Sequence, residues 1–390
     1  MFDTHYRLIT EQTDFEHLCA HLGTLSFFTL DTEFVRTRTL LPQLGLLQVF
    51  DGDRAYLIDP LGLTNLDAFA RLLTNSDIVK VLHACSEDLE VFLAHLGVLP
   101  APIFDTQYAA NLLGMGPTLG YARLVELTCN VALDKGESRT DWLARPLSEN
   151  QLHYAANDVI YLHDVYLQLS KQVDASGLRG LIYDELDALG QKKMANMPPA
   201  MAYLLIGNAW KLNERQRYVL KKLAAWRLNL ARERNSAINF IIKESHLFAL
   251  AQYLPSGKSQ LSSQCGLLPQ EVRKHGDTVV GLINQSLAKY DTEPHNCRVP
   301  PIQRLTELPQ YKKTLSQLKA LCGHIAERES LTTEVIASKK QLNQLLKWWW
   351  FDVEETSAQH LLPDLLMGWR KPLMAEPLLS LLGEPVRSID

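Results

Sequence analysis

Asp31 and Glu33 stand two residues apart in Leu30-Asp31-Thr32-Glu33-Phe34, at the end of the apolar run Leu25-Ser26-Phe27-Phe28-Thr29. A Phe- and Thr-rich segment of this length, preceded by Gly23, reads as a buried strand, and the two-residue period puts both carboxylates on one face. Like charges buried side by side repel, and a hard divalent metal with oxygen ligands is the simplest neutraliser. Taken alone, the same Asp-x-Glu reads as a strand ending in water. Asp88 lies in the first turn of a helix after His83-Ala84-Cys85-Ser86, where an acid by itself is ordinary helix-dipole chemistry. Tyr154 and Asp158, four apart, share one helical face; alone they are a half-buried phenol beside a surface acid.

Other positions are open to two readings. Asp105, in Phe104-Asp105-Thr106, is a sixth acid near the site or, preferably, a helix cap. His83 touches substrate or is a strand-end histidine satisfied by backbone groups. Arg139 and Trp142 bind phosphate and stack on a base, or form a salt bridge and a core indole. Lys211 to Arg234 holds Lys211, Arg215, Arg217, Lys221, Lys222, Arg227, Arg232 and Arg234 against Glu214 and Glu233, a face suited to phosphate or plain helix surface.

The elements that would position these groups follow from periodicity. Before the opening strand, Phe15, Leu18, Cys19 and Leu22 share a helix face. Leu44–Phe50 and Arg54–Ile58 flank Asp51-Gly52-Asp53, a hairpin signal. Thr64–Leu73 predicts a helix and Ile78–His83 a second buried strand. Ser86 is placed to cap the helix Glu87–Leu96. Ile103-Phe104 and the helix Thr106–Leu113 extend the alternation, and Ser148-Glu149-Asn150-Gln151 opens the helix that carries Tyr154 and Asp158. Together these predict an α/β domain with a mixed sheet.

At 390 residues, 46% of them hydrophobic, the chain predicts two or three soluble globular domains. No apolar run approaches the roughly 20 residues a membrane helix needs. Met1 to Thr10 does not read as a secretory signal. Six scattered cysteines without a Cys-x-x-Cys pair fit a reducing cytoplasm. Residues 1–200 hold 14 Lys and Arg against 26 Asp and Glu, and 201–390 hold 25 against 18, an acidic half and a mildly basic half. Met197-Pro198-Pro199 cannot continue a helix. Beyond it the pattern is all-helical and repeats at an offset of 95, pairing Phe240 with Val335, Ile241 with Ile336, Leu247 with Leu342, Leu250 with Leu345 and Tyr253 with Trp348. Trp348-Trp349-Trp350-Phe351 invites base stacking, but Trp348 aligns with a core position assigned to Tyr253.

Asp-x-Glu at a strand end, an acid opening a helix after a second strand, and Tyr-x-x-x-Asp, in that order, resemble the DEDD exonucleases of the tyrosine subgroup. Leu30 through Thr39, Pro42-Gln43-Leu44-Gly45, Leu82 through Glu90 and Glu137 through Trp142 look like the bacterial ribonuclease D family, and the helical repeats resemble its HRDC modules. The resemblance implies a ribonuclease-H-like α/β nuclease domain with a mixed sheet over residues 1–195, followed by two all-α helical domains. These cover 209–290 and 302–384, with linkers at 196–208 and 291–301. It implies site residues Asp31, Glu33, Asp88, Tyr154 and Asp158, with two divalent metals, Mg²⁺ or Mn²⁺, on the four acids. The implied substrate is RNA with a free 3' end, tRNA precursors included, degraded one nucleotide at a time; nothing in the sequence requires more than a monomer. In this arrangement Asp31 bridges, Glu33 and Asp158 complete the nucleophile-side metal, Asp88 holds the second directly or through water, and Tyr154 orients the attacking water. The resemblance also implies that Glu33 touches the terminal 3' hydroxyl. Two rival readings are the same chemistry on DNA, and a catalytically silent RNA-binding scaffold.

Overall fold

A computed structural model of the chain describes residues 6–133, 136–137 and 140–388. The first half builds a six-stranded mixed sheet from β1 (Tyr6–Ile9), β2 (Phe27–Val35), β3 (Gln43–Phe50), β4 (Ala55–Ile58), β5 (Val79–Leu82) and β6 (Ile103–Asp105), ordered β1-β4-β3-β2-β5-β6. β2, the strand of Asp31 and Glu33, is central: antiparallel to β3 and parallel to β5. The Asp51-Gly52-Asp53 hairpin joins β3 to β4 as its sequence requires. Gly52 takes a φ of 101°, and Asp51 accepts from the backbone of Asp53 and Arg54. β1 carries no periodic signal because it is four residues long at the sheet edge, with one fully buried side chain.

Helices cover both faces. α1 (Gln12–Leu22) and α2 (Asp67–Leu73) pack on one, with Phe15 and Phe28 both against Phe69. α3 (Ser86–Leu96), α4 (Thr106–Leu112) and α5 (Tyr121–Cys129) follow. α6 (Glu149–Ala175) then crosses the opposite face, opened by the predicted capping box between Ser148 and Gln151. Its buried positions Leu152, Ala155, Ala156, Val159, Leu162, Val165, Tyr166 and Leu169 recur at helical spacing, and α7 (Arg179–Met194) completes this half. Lys80, fully buried in β5, donates to the carbonyls of Asn75, Ile78 and Ala101, tying β5 to the turns beside it.

The second half is helical. α8 (Glu214–Glu233), α9 (Ile238–Ile241), α10 (Glu244–Tyr253), α11 (Lys258–Ser263) and α12 (Pro269–Thr292) form one module. α13 (Tyr311–Glu329), α14 (Thr333–Ile336), α15 (Lys339–Trp350), α16 (Glu355–Ala358) and α17 (Lys371–Leu382) form the other. The repeat is visible in register, since α9 and α14 begin at 238 and 333, and α10 and α15 at 244 and 339. Ile241, Leu247 and Leu250 are buried like their partners Ile336, Leu342 and Leu345. Two pairs depart from it: Phe240 is 63% exposed against a buried Val335, and Tyr253 is 55% exposed against a buried Trp348. Tyr253 is therefore not a core position, whereas Trp348, Trp349 and Phe351 are core, which leaves little of that aromatic run for stacking on bases.

Both modules dock on the nuclease half. Asn235 accepts through its backbone and side-chain oxygens from Leu40 and Leu41, and the Ala237 amide donates to Arg38, so the loop leaving β2 is clamped by the first module. The second module presents Trp369 and Arg370 to Glu185 on α7, and its core is continuous with that of the sheet. Among the described residues no helix is long and apolar enough to cross a membrane.

Candidate active site

On β2 the residues Phe27, Thr29, Asp31 and Glu33 point to α6. Phe27 stacks on His163 and packs at a tilt against Tyr166, and the Thr29 hydroxyl donates to the Val159 carbonyl at 2.7 Å. This pairing sets α6 against β2 so that the next turns toward its N-terminus, carrying Asp158 and Tyr154, meet Asp31 and Glu33. Oxygens of Asp31, Glu33 and Asp158 lie within 4.8 Å of one another. The Tyr154 phenol lies beside the Asp158 carboxylate, close enough for the two groups to influence each other. Four of the five residues expected from the sequence thus converge directly.

Asp88 joins them from the other side. Its carboxylate accepts from the Thr32 hydroxyl at 2.5 Å, and Thr32, between the two acids, points to the opposite sheet face. Asp88 lies outside the tight trio, yet close enough for its charge to act on Glu33 and for that of Asp31 to act on it. The turn before α3 is strained at Ala84, whose φ is 55°. Ser86 is not its cap; it is the first helical residue, and the cap position is Cys85. Asp105 accepts from the Cys85 amide at 2.8 Å while also capping α4 through the Gln107 and Tyr108 amides. It is a cap that fixes where α3 begins, and hence where Asp88 sits.

The electrostatics are those of crowded, uncompensated acids. Burial, then the charge of Asp158, raises the Asp31 carboxyl well above the usual range. Burial and the charges of Asp31, Asp158 and Asp88 push Glu33 up to about 10. Burial raises Asp88, with Asp31 adding to it and the Thr32 hydroxyl opposing it, and burial pushes Asp158 up to about 7. No Lys or Arg charge figures among these influences for the described residues. Four hard carboxylates with no cationic partner fit divalent metal ions. Tyr154 is held above its ordinary value by burial and the neighbouring acids, so the phenol keeps its proton at neutral pH.

The other candidates resolve mostly toward structure. His83 bonds Thr106 through Nδ1 and packs against Tyr121, with burial lowering its pKa. Trp142 is a core indole, 1% exposed, with its ring centroid 6.2 Å from that of Tyr154. Arg139 lies outside the described residues. On α8, Arg217 donates to the carbonyls of Leu212 and Val299, Arg227 to Ile242, Arg232 to Met197, and Arg215 pairs with Asp291. Half of that basic run serves carbonyls and acids of the helical half and its flanking linkers.

Sequence reading passed over Arg145 and Tyr121, and named Gly45 only within a family-like stretch without a role. The β2–β3 register slips between Glu33 and Phe34, leaving Gly45 as the bulged residue. A Cβ there would meet the Trp142 carbonyl oxygen at 2.5 Å, so only glycine lets the 142 segment lie against the strand. Arg145 holds it there, donating to Asp59 at 2.5 and 2.8 Å and to the carbonyls of Gly45 and Trp142. Tyr121, half-buried near Asp158 and Asp31, donates to the Asn157 carbonyl on α6. Gly45→Ala is expected to push Trp142 against Tyr154, costing about 1–3 kcal/mol by overpacking and lowering turnover by up to about 10²-fold through misplacement. Thermal melting and kcat check it; an unchanged kcat would show that Tyr154 is not positioned by this contact.

The chain matches three known families: a 3'-5' exonuclease family over residues 6–174, the HRDC domain over 216–283, and the C-terminal HRDC domain of ribonuclease D over 309–378. It is 44% identical to ribonuclease D of Musicola paradisiaca over 97% of this chain and 99% of the relative. It is 43% identical to ribonuclease D of Escherichia coli, again over 97% and 99%. The crystal structure of Escherichia coli RNase D, described as an exoribonuclease involved in structured RNA processing, superposes with a TM-score of 0.89 at 42% identity, covering 97% of this chain and 98% of that one. Similarity of this extent, over a sheet that carries the acidic cluster and two helical modules in the same order, shows that the chain belongs to the ribonuclease D family of 3'-to-5' exoribonucleases.

Proposed function

We propose that the chain removes nucleoside 5'-monophosphates one at a time from RNA 3' ends by a two-metal mechanism, in the maturation of tRNA precursors and other small RNAs. The observation that carries this reading is the convergence of Asp31, Glu33 and Asp158 oxygens within 4.8 Å, with Asp88 beside them and no cationic side chain among the groups that set their charge. Asp31, Glu33 and Asp158 would hold one ion, and Asp31 with Asp88 a second; Mg²⁺ and Mn²⁺ suit such oxygen donors. When bound, the ions supply Lewis acidity for the attacking and leaving oxygens of the phosphodiester.

The residues themselves place and orient. Asp31 reaches both positions because it stands between Asp158 on α6 and Asp88 on α3. Tyr154, held above its ordinary value by burial and the neighbouring acids, keeps its proton beside Asp158, so it would orient the attacking water and not take its proton. Glu33, at the strand's outer end, is the acid placed to contact a terminal 3' hydroxyl, which selects ends over internal sites. Residues 1–195 form the nuclease domain. Modules 209–290 and 302–384, joined by 196–208 and 291–301, hold the RNA, in a monomer working in the cytoplasm.

A 3'-labelled tRNA precursor, incubated with Mg²⁺ or Mn²⁺ and with a chelator, tests reaction type, polarity and metal need. Labelled nucleoside 5'-monophosphate should appear early with metal and be absent with chelator. Internal fragments would refute the end-directed reading, metal-independent release would refute the metal reading, and faster turnover of a matched DNA strand would reassign the substrate. RNA binding without any release would make the chain a scaffold.

A further inference from the structure

Gln48 is fully buried, and neither its amide nitrogen nor its amide oxygen has a hydrogen-bond partner among the described residues. It lies directly across from Asp31 in the β2–β3 register. Opposed residues of an antiparallel pair share a face with their Cβ atoms about 4.5–5.5 Å apart, within reach of a glutamine amide. The face is the one under α6: the flanking same-face residues Leu46 and Phe50 pack with Leu57, Leu152, Ala155 and Val159. An apolar side chain would fill this layer without stranding two polar atoms, so the amide is the costly choice there. On the same face of β2, the Thr29 hydroxyl is already committed to Val159, while Asp31 has carboxylate lone pairs to offer.

We propose that Gln48 is a positioning residue for the Asp31 carboxylate: its Nε2 donates to an Asp31 oxygen when the acids hold metal, fixing the orientation in which Asp31 serves both ions. Carboxylates that ligate metals are themselves hydrogen-bonded, and such outer partners tune affinity. The inference rests on the reading of Asp31 as a metal ligand.

The test compares full-length wild-type protein with Gln48→Met, Gln48→Leu and Asp31→Asn. Mn²⁺ binding is followed by calorimetry without RNA, and melting is followed without metal. Both Gln48 variants are expected to melt metal-free at or above the wild-type temperature, because the unpartnered amide is gone, while Mn²⁺ affinity falls by about 10- to 100-fold. With RNA, kcat should fall at unchanged KM. Mn²⁺ affinity within twofold of wild type in both variants would overturn the inference, and so would metal-free destabilisation of both, which would make the amide structural. If Asp31→Asn itself leaves Mn²⁺ affinity unchanged, the metal-ligand reading falls; if Asp31→Asn weakens binding and the Gln48 variants do not, only the positioning role falls.

Discussion

Asp31→Asn is expected to lower turnover by about 10³-fold or more while leaving RNA affinity and the fold intact. The charge of Asp158 acts on this carboxylate, and its own charge acts on Asp88. The amide keeps its shape and loses the charge. Metal-assisted charge stabilisation is worth several kcal/mol, and at about 1.4 kcal/mol per decade that is the stated loss. Removing one of four crowded acids also relieves repulsion, so the metal-free variant should melt no lower than wild type. The two readouts separate chemistry from folding: single-turnover hydrolysis of an oligoribonucleotide with Mg²⁺, and fluorescence anisotropy of the same RNA. Turnover within tenfold of wild type would remove Asp31 from the site's centre.

Glu185→Ala should loosen the second helical module from the nuclease. Glu185 accepts from the Arg370 guanidinium, from Trp369 Nε1 at 3.1 Å and from the Tyr108 hydroxyl at 3.4 Å. Arg370 is 5% exposed, and its remaining partners are the Val335 and Ile336 carbonyls. Truncating the acid strands a buried charge, which costs about 3–5 kcal/mol. Trp348, Trp349, Trp350 and Trp369 all lie in this module. Their fluorescence should therefore report unfolding in urea before the far-ultraviolet circular dichroism of the whole chain does. Replacing both partners by Leu should recover most of the loss, since paired apolar side chains leave no orphan. A single coincident transition at the wild-type urea midpoint would show that the apolar core alone holds the module. The same continuity of cores means that deleting everything after Met201 exposes nuclease surface around Tyr108 and Glu185, so point changes at this contact divide RNA binding from chemistry more cleanly than truncation.

Local rules were sufficient for much of this protein. The Asp31–Glu33 face follows from the two-residue period of a strand, Tyr154 beside Asp158 from the helical turn, and the opening of α6 from Ser148 and Gln151. The offset of 95 between the helical modules is readable because each helix start depends on a few adjacent residues. That the acids come together was legible only through resemblance, since no local signal says that residues 31, 88 and 158 meet. The basic run on α8 misled for the same reason: whether Arg217 faces phosphate or the Val299 carbonyl depends on a segment 82 residues away.

What the tertiary structure alone decided is the set of contacts that depend on strand register and docking. Thr32 supports Asp88, Gln48 faces Asp31, Gly45 admits Trp142 and Glu185 receives Arg370. Each joins groups far apart in the chain, through side chains whose types are common and whose local spacing is unremarkable. Periodicity and capping are encoded within one turn or a few residues of strand, so the sequence by itself determined the elements and the acids they carry. Pairing register and module docking are settled by the collective burial of apolar surface, and only that global minimum brings Asp31, Glu33 and Asp158 together with Asp88 beside them.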